Sequence, residues 1–140
     1  MSDNVFLDTN LWVYFFSKDP ADKMKKVTEI ISAQLPSLII STQILGEPYH
    51  VLTRKRIFPK PEAQSIVLGL TSRTLVTDIN TSKVLQAMEV NIRYGYSYWD
   101  SLIIATALQE SCSILYSEDM QHDQLIESRL RIINPFLTRS

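Results

Sequence analysis

The sequence predicts an α/β fold of three layers, in which a central, mostly parallel sheet lies between helices. Two observations carry that expectation. Short β-forming runs alternate with segments of helical periodicity, and the 140 residues contain no repeat or composition break that would divide them. Residues 1–140 therefore read as one domain, long enough to remove about two-thirds of the unfolded surface from water.

Val5, Phe6 and Leu7 form the first run, which ends at Asp8. Asp19 followed by Pro20 reads as an N-cap with proline at the first helical position, and Met24, Val27, Ile30 and Ile31 carry that helix to about residue 33. Residues 37–40 give a second strand, after which Ser41 or Thr42 caps a helix bearing Ile44, Leu45, Val51 and Leu52. Pro61 and Glu62 open another helix, with Ile66, Val67 and Leu70 on one face. Residues 74–78 hold a third strand. Thr81 is the expected cap of a helix through Val84, Leu85, Met88 and Ile92, which Gly95 stops. A further helix spans about 97–110, residues 113–116 form a fourth strand and residues 130–133 a fifth. In a parallel sheet, ligands bind beyond the carboxyl ends of the strands, so chemistry is expected there.

Composition excludes several classes. The single cysteine, Cys112, rules out a disulfide framework and a cysteine zinc cluster, and reads as a small buried residue. The stretch MSDNVFLDTN lacks the basic and apolar regions of a secretory leader, and no apolar run reaches the roughly 18 residues of a membrane span. A cytoplasmic protein away from membranes is expected. A net charge of −1 argues against a protein that simply coats nucleic acid. It leaves room for a nuclease, whose acidic site concentrates negative charge locally.

Four carboxylates stand out. Asp8 ends the first strand and Asp119 lies just past the fourth, both at the sheet edge where sites form. Either one alone is equally compatible with a turn or a helix cap. Glu47 shares a helix face with Ile44 and Val51, and Asp100 shares one with Ile104 and Ala107, so both carboxylates continue apolar stripes. An unpaired buried carboxylate is costly and calls for a proton, a cation or a metal; Arg93 or Arg54 could serve as an ion-pair partner. Two carboxylates about 4 Å apart repel by roughly 4 kcal/mol at an effective dielectric near 20. Four of them, without matching inward bases, point to hard cations such as Mg²⁺ or Mn²⁺ and so to phosphate chemistry.

At these residues the chain resembles the PIN-domain family, and within it the VapC toxin branch. Four segments carry the resemblance in order: Phe6-Leu7-Asp8-Thr9-Asn10; Gly46-Glu47-Pro48-Tyr49-His50-Val51-Leu52-Thr53-Arg54-Lys55; Ser97-Tyr98-Trp99-Asp100-Ser101-Leu102-Ile103-Ile104-Ala105-Thr106-Ala107; and Leu115-Tyr116-Ser117-Glu118-Asp119-Met120. The resemblance implies a PIN-like α/β/α fold, Mg²⁺ or Mn²⁺ dependence and endoribonuclease activity. It maps the family's acids onto Asp8, Glu47, Asp100 and Asp119, its polar helper onto Thr9 or Asn10, and its hydroxyl before the last acid onto Ser117. It further implies an RNA substrate, a small antitoxin partner and a homodimer. Pro48, directly after Glu47, departs from a regular helix interior and bears on where that carboxylate points.

One metal held by Asp8, Asp100 and Asp119, with Glu47 completing the set or orienting a water, would give products with 5′-phosphate and 3′-hydroxyl ends. Thr9, Asn10 and Ser117 are candidates to hold the carboxylates by hydrogen bonds, or else local caps. Arg54, Lys55 and Arg56 form the densest basic cluster, placed to grip RNA phosphates or to complement a helix C-terminus. Asp123 reads as a loop acid or an outer ligand. His50 and His122 have no partner motif. Trp12, Tyr14, Phe15, Phe16, Tyr98 and Trp99 are expected to pack. The alternative function is a catalytically silent PIN domain that binds RNA or protein. An aspartyl-phosphate phosphatase would need a DxD motif where Asp8-Thr9-Asn10 stands.

Overall fold

A computed structural model describes residues 4–137; the first and last three residues, including the start of the stretch read for a leader, lie outside the described residues. Among the described residues the order is β1 (Asn4–Leu7), α1 (Thr9–Ser17), α2 (Ala21–Gln34), β2 (Leu38–Ser41), α3 (Thr42–Arg54), α4 (Lys60–Thr71), β3 (Leu75–Thr77), α5 (Thr81–Tyr94), α6 (Tyr98–Gln109), β4 (Cys112–Tyr116), β5 (Leu125–Ile126) and β6 (Leu130–Ile133). The strands form one sheet in the order β3-β2-β1-β4-β6-β5. Every pairing is parallel except β5 with β6. The α/β class with a mostly parallel central sheet is therefore correct.

Strand order decides where a site can form. From β1 the chain builds outward through β2 and β3, then returns to place β4 on the other side of β1. The reversal leaves a crevice at the carboxyl ends of β1 and β4, which pair through Leu7 and Tyr116. Asp8 and residues 117–119 emerge directly above it. Burial explains the stiffness of this floor: Val5, Phe6, Leu7 and all of β2 are buried, so both faces of the central strands are covered. Residues 101–108 of α6 are likewise buried throughout, because that helix sits inside the molecule and α5 packs along it.

Several local expectations need correction. Residues 9–17, read only as packing aromatics, form helix α1. Asp8 starts it as the N-cap, accepting from Thr9 N–H at 2.7 Å, and Lys18 ends it in the left-handed region at φ 61°. The run Leu11 to Phe16 is apolar on all sides and rich in β-formers, so it lacks the contrast between faces that marks a surface helix. The N-cap position of α2 is Pro20 rather than Asp19, with no side-chain cap bond. Asn80, not Thr81, caps α5, its side chain accepting from Lys83 N–H at 3.0 Å. Of the two candidates at α3, Ser41 is the cap. Strand β5, two residues long, was not expected.

Pro48 is accommodated inside α3, which runs on through it to Arg54 with the proline ring buried. The first expectation about the aromatic pair at α6 holds for Tyr98, which packs against Ala87, Leu102 and Ala105. It fails for Trp99, which is 64% exposed.

Candidate active site

Asp8 is the buried acid of the crevice. One carboxylate oxygen accepts from Thr9 N–H and the other from the Ser117 hydroxyl at 2.9 Å. Burial nevertheless pushes its carboxyl up from 3.8 to about 6; the two hydrogen bonds oppose the rise, and the charges of Asp100 and Asp119 add to it. Asp100 stands in the first turn of α6, where the Ser97 hydroxyl caps the helix by accepting from Asp100 N–H at 3.2 Å. Its carboxyl is also raised, first by burial and then by the charges of Asp119 and Glu47. The four acids are thus brought within one another's electrostatic reach from four separate elements.

Polar neighbours fix each remaining carboxylate. The Thr9 hydroxyl donates to one oxygen of Glu47, and Gln43 Nε2 donates to the other at 3.1 Å. Asn10 Nδ2 donates to Asp119 at 3.0 Å, and Asp119 is the most exposed of the four. Two consecutive residues at the head of α1, Thr9 and Asn10, therefore touch three acids, Asp8, Glu47 and Asp119, because Asp8 caps the helix whose first turn projects them across the crevice. Ser117 Oγ also accepts from Met120 N–H at 3.3 Å, which ties the turn after β4 to Asp8.

No base among the described residues neutralises this cluster. Among the described residues none of the four acids makes an ion pair, and Arg93, named above as a candidate partner, is engaged by Glu127 instead. Nor, among the described residues, do three acidic, histidine or cysteine side chains close into a ready-made ion cage. The carboxylates are held apart, each on its own hydrogen bonds. Such an open arrangement suits Mg²⁺, which keeps several waters and takes only one or two carboxylates together with substrate phosphate. Hard oxygens with uncompensated charge, one of them buried, fit a divalent ion.

Two sets of residues at the site had no place in the sequence reading. Gln43 bonds Glu47 from the preceding helical turn, and the i, i+4 spacing was the legible signal. Glu118 points away from the acids: one oxygen accepts from Tyr14 O–H at 2.5 Å and the other from Lys23, while its carbonyl accepts from Asn134 Nδ2 at 3.3 Å. Lys23 lies over the rings of Tyr14 and Phe136. This clamp anchors the turn that carries Ser117 and Asp119 to α1 and α2, and no local pattern announces it, since its partners are about 100 residues apart in sequence.

The other candidates lie elsewhere. Arg54 ends α3, seven residues beyond Glu47 and so roughly 10 Å along the helix, with Lys55 and Arg56 following on the surface. That position complements the negative end of the helix dipole. Asp123 is exposed and pairs with Arg131 at 3.0 Å. His122 accepts from Asn134 N–H, and His50 is exposed. Cys112 is buried, and burial pushes its thiol up to about 12. No helix among the described residues is long and apolar enough to cross a membrane.

The PIN domain family profile matches residues 5–127, which covers all four acids. The chain belongs to the PIN domain family. Comparison with curated proteins gives no match. Among solved structures, this PIN domain is similar to a chain of a toxin–antitoxin complex from Klebsiella pneumoniae, with a TM-score of 0.72 at 16% identity over 95% of this chain and 98% of that one. It is similar to VapBC bound to DNA from Salmonella typhimurium, with a TM-score of 0.69 at 19% identity over 94% and 98% of the two chains. A third is VapC20 of Mycobacterium tuberculosis, described as a toxin that cleaves the sarcin–ricin loop, with a TM-score of 0.66 at 19% identity over 80% and 87%. At these identities the likeness shows a shared fold.

Proposed function

We propose that this PIN domain is a Mg²⁺- or Mn²⁺-dependent endoribonuclease, acting as the toxin of a type II toxin–antitoxin pair. The observation that carries the reading is Asp8: a buried carboxyl raised to about 6, facing the charges of Asp100 and Asp119, with no base beside it. Asp8, Asp100 and Asp119 would hold the ion, with Glu47 completing the set or orienting a water. The ion supplies a bound water of lowered pKa and stabilises charge on the scissile phosphate. Thr9, Asn10 and Ser117 keep their carboxylates in place, so little reorganisation is needed when substrate arrives. Hydrolysis by water leaves 5′-phosphate and 3′-hydroxyl ends; genuine 2′,3′-cyclic phosphate products would exclude it.

Residues 1–140 act in this reading as one domain with two protein partners. Solved complexes of similar fold pair the toxin with an antitoxin. Here an apolar cleft of about 450 Å³, lined by Trp12, Phe15, Phe16, Ile31, Leu35 and Arg73 among others, offers a surface for one. For the homodimer, the support is the stripe Leu85, Met88 and Ile92 on the outer face of α5, with Ile92 83% exposed. Ile92→Glu is expected to convert a dimer to monomer in light scattering without lowering the melting temperature; an unchanged mass would remove α5 from the interface.

The decisive experiment incubates the purified chain, free of antitoxin, with total RNA in Mg²⁺, Mn²⁺ or EDTA and reads its thermal stability in the same buffers. Discrete, metal-dependent cleavage supports the proposal. Stabilisation by metal without cleavage would mean an intact site lacking its RNA, because a bound ion stabilises the fold by mass action. Neither effect would favour the silent binding module. Within the site, Ser117→Ala is expected to lower kcat by about 10- to 100-fold at saturating metal, since Asp8 loses the one side-chain donor it has among the described residues. Steady-state kinetics across a metal titration check this; an unchanged kcat would show that the Ser117 bond to Asp8 has no part in catalysis.

A further inference from the structure

Trp99 combines exposure with a fixed orientation. Its indole is 64% exposed, yet its ring lies edge-on to Tyr98 at 5.0 Å and 73°, and Tyr98 is itself packed into the α5–α6 core. Its backbone carbonyl accepts from Gln43 Nε2 at 3.5 Å, and that same nitrogen donates to Glu47. The next residue along the chain is Asp100. Trp99 is therefore tied to the acidic centre on two sides, through the chain to Asp100 and through Gln43 to Glu47. The packing of α6 does not use this ring, whereas every residue from Ser101 to Leu108 is buried.

We infer that Trp99 is a substrate-binding residue that stacks an unpaired RNA base next to the reactive phosphate. The inference rests on the ribonuclease reading above. The local electrostatics favour this occupant. Four acids without a paired base attract no phosphate by themselves, and the basic cluster of Arg54, Lys55 and Arg56 begins roughly 10 Å further along α3. Apart from the ion those acids would hold, grip on the neighbouring nucleotides is then largely non-ionic. Every base offers a π face to an aromatic ring, an interaction worth roughly ten- to hundredfold in affinity and tolerant of sequence. A duplex hides those faces, so the substrate segment is single-stranded, looped or bulged.

Two measurements on the full chain test this. Trp99→Ala is expected to raise KM for a single-stranded RNA by about ten- to hundredfold with kcat changed less than threefold, while Trp99→Phe keeps KM close to wild type. The second readout is tryptophan emission in the Asp100→Asn protein, which should not consume its substrate. The only other tryptophan, Trp12, is 1% exposed, so a single-stranded oligonucleotide should quench the Trp99 part of the signal and a duplex of the same sequence should not. Wild-type cleavage with no quenching and an unaltered KM in Trp99→Ala would overturn the stacking role and leave the nuclease intact. Quenching with neither wild-type cleavage nor stabilisation by metal would support the stacking role and sink the nuclease. Emission that shifts to the blue with protein concentration, in the absence of RNA, would show that a second copy covers the ring and would overturn the inference.

Discussion

Asp100→Asn is expected to lower the proposed metal-dependent RNA cleavage by on the order of 10³-fold, while the protein stays folded. The magnitude is that of removing one preorganised charge from the transition state's surroundings. The fold survives because the cap made by Ser97 rests on the Asp100 backbone N–H, and an asparagine keeps a side-chain oxygen that can still accept from the Ser97 hydroxyl. The buried run of α6 begins one residue later. Removing the carboxylate also relieves repulsion from Asp119 and Glu47, so the metal-free variant should melt no lower than wild type. Cleavage assays in Mg²⁺, Mn²⁺ and EDTA, beside a thermal melt, decide the matter. Retained cleavage in a variant of intact stability would place the chemistry elsewhere.

The second large effect is on stability and comes from Asp8. Its carboxyl titrates at about 6 in the fold against an ordinary 3.8, so the folded protein holds that proton more tightly than the unfolded chain does. Stability of the metal-free protein therefore falls as pH rises from about 4 to 6, and above 6 the full penalty, on the order of 3 kcal/mol, persists. Asp8→Asn removes the charge and keeps an acceptor for Thr9 N–H, and the Ser117 hydroxyl can rotate to accept from the new amide. With some loss of geometry, a gain of about 2 kcal/mol at pH 7.5 is expected, or roughly 4–8 °C in melting temperature. Mg²⁺ should reverse the order, stabilising wild type and leaving Asp8→Asn unmoved. A metal-free wild type whose stability is flat between pH 4 and 7 would show that Asp8 carries no such strain.

Much of this fold was legible because its elements announce themselves locally. Residues 130–133 carry a β-forming run, Gly95 is a helix stop, and the stretch from about 97 to 110 reads as a helix; all three fall where they should. Helix α1 was not legible. Its residues are apolar on every side, because α1 lies among α2, α3 and the sheet, and periodicity needs a polar face to be seen. Trp99 misled for a related reason: a large aromatic beside a buried helix normally packs, and only the three-dimensional surroundings reveal that Tyr98 takes the interior place.

The sequence by itself determined the α/β class and the family, and it singled out the four acids as candidates, because each rests on residue type and spacing along the chain. Tertiary structure alone decided how those acids are held. The order β3-β2-β1-β4-β6-β5 puts Asp8 beside Ser117 across 109 positions, swings Thr9 to Glu47 and Asn10 to Asp119, and leaves Glu118 facing the opposite way into Lys23 and Tyr14. Hydrogen bonds reach about 3 Å, whereas sequence patterns speak only for neighbours within a few residues. The distinction between a carboxylate that merely caps a helix and one left without a basic partner therefore depends on neighbours that only folding supplies, and among the described residues Asp8 is both at once.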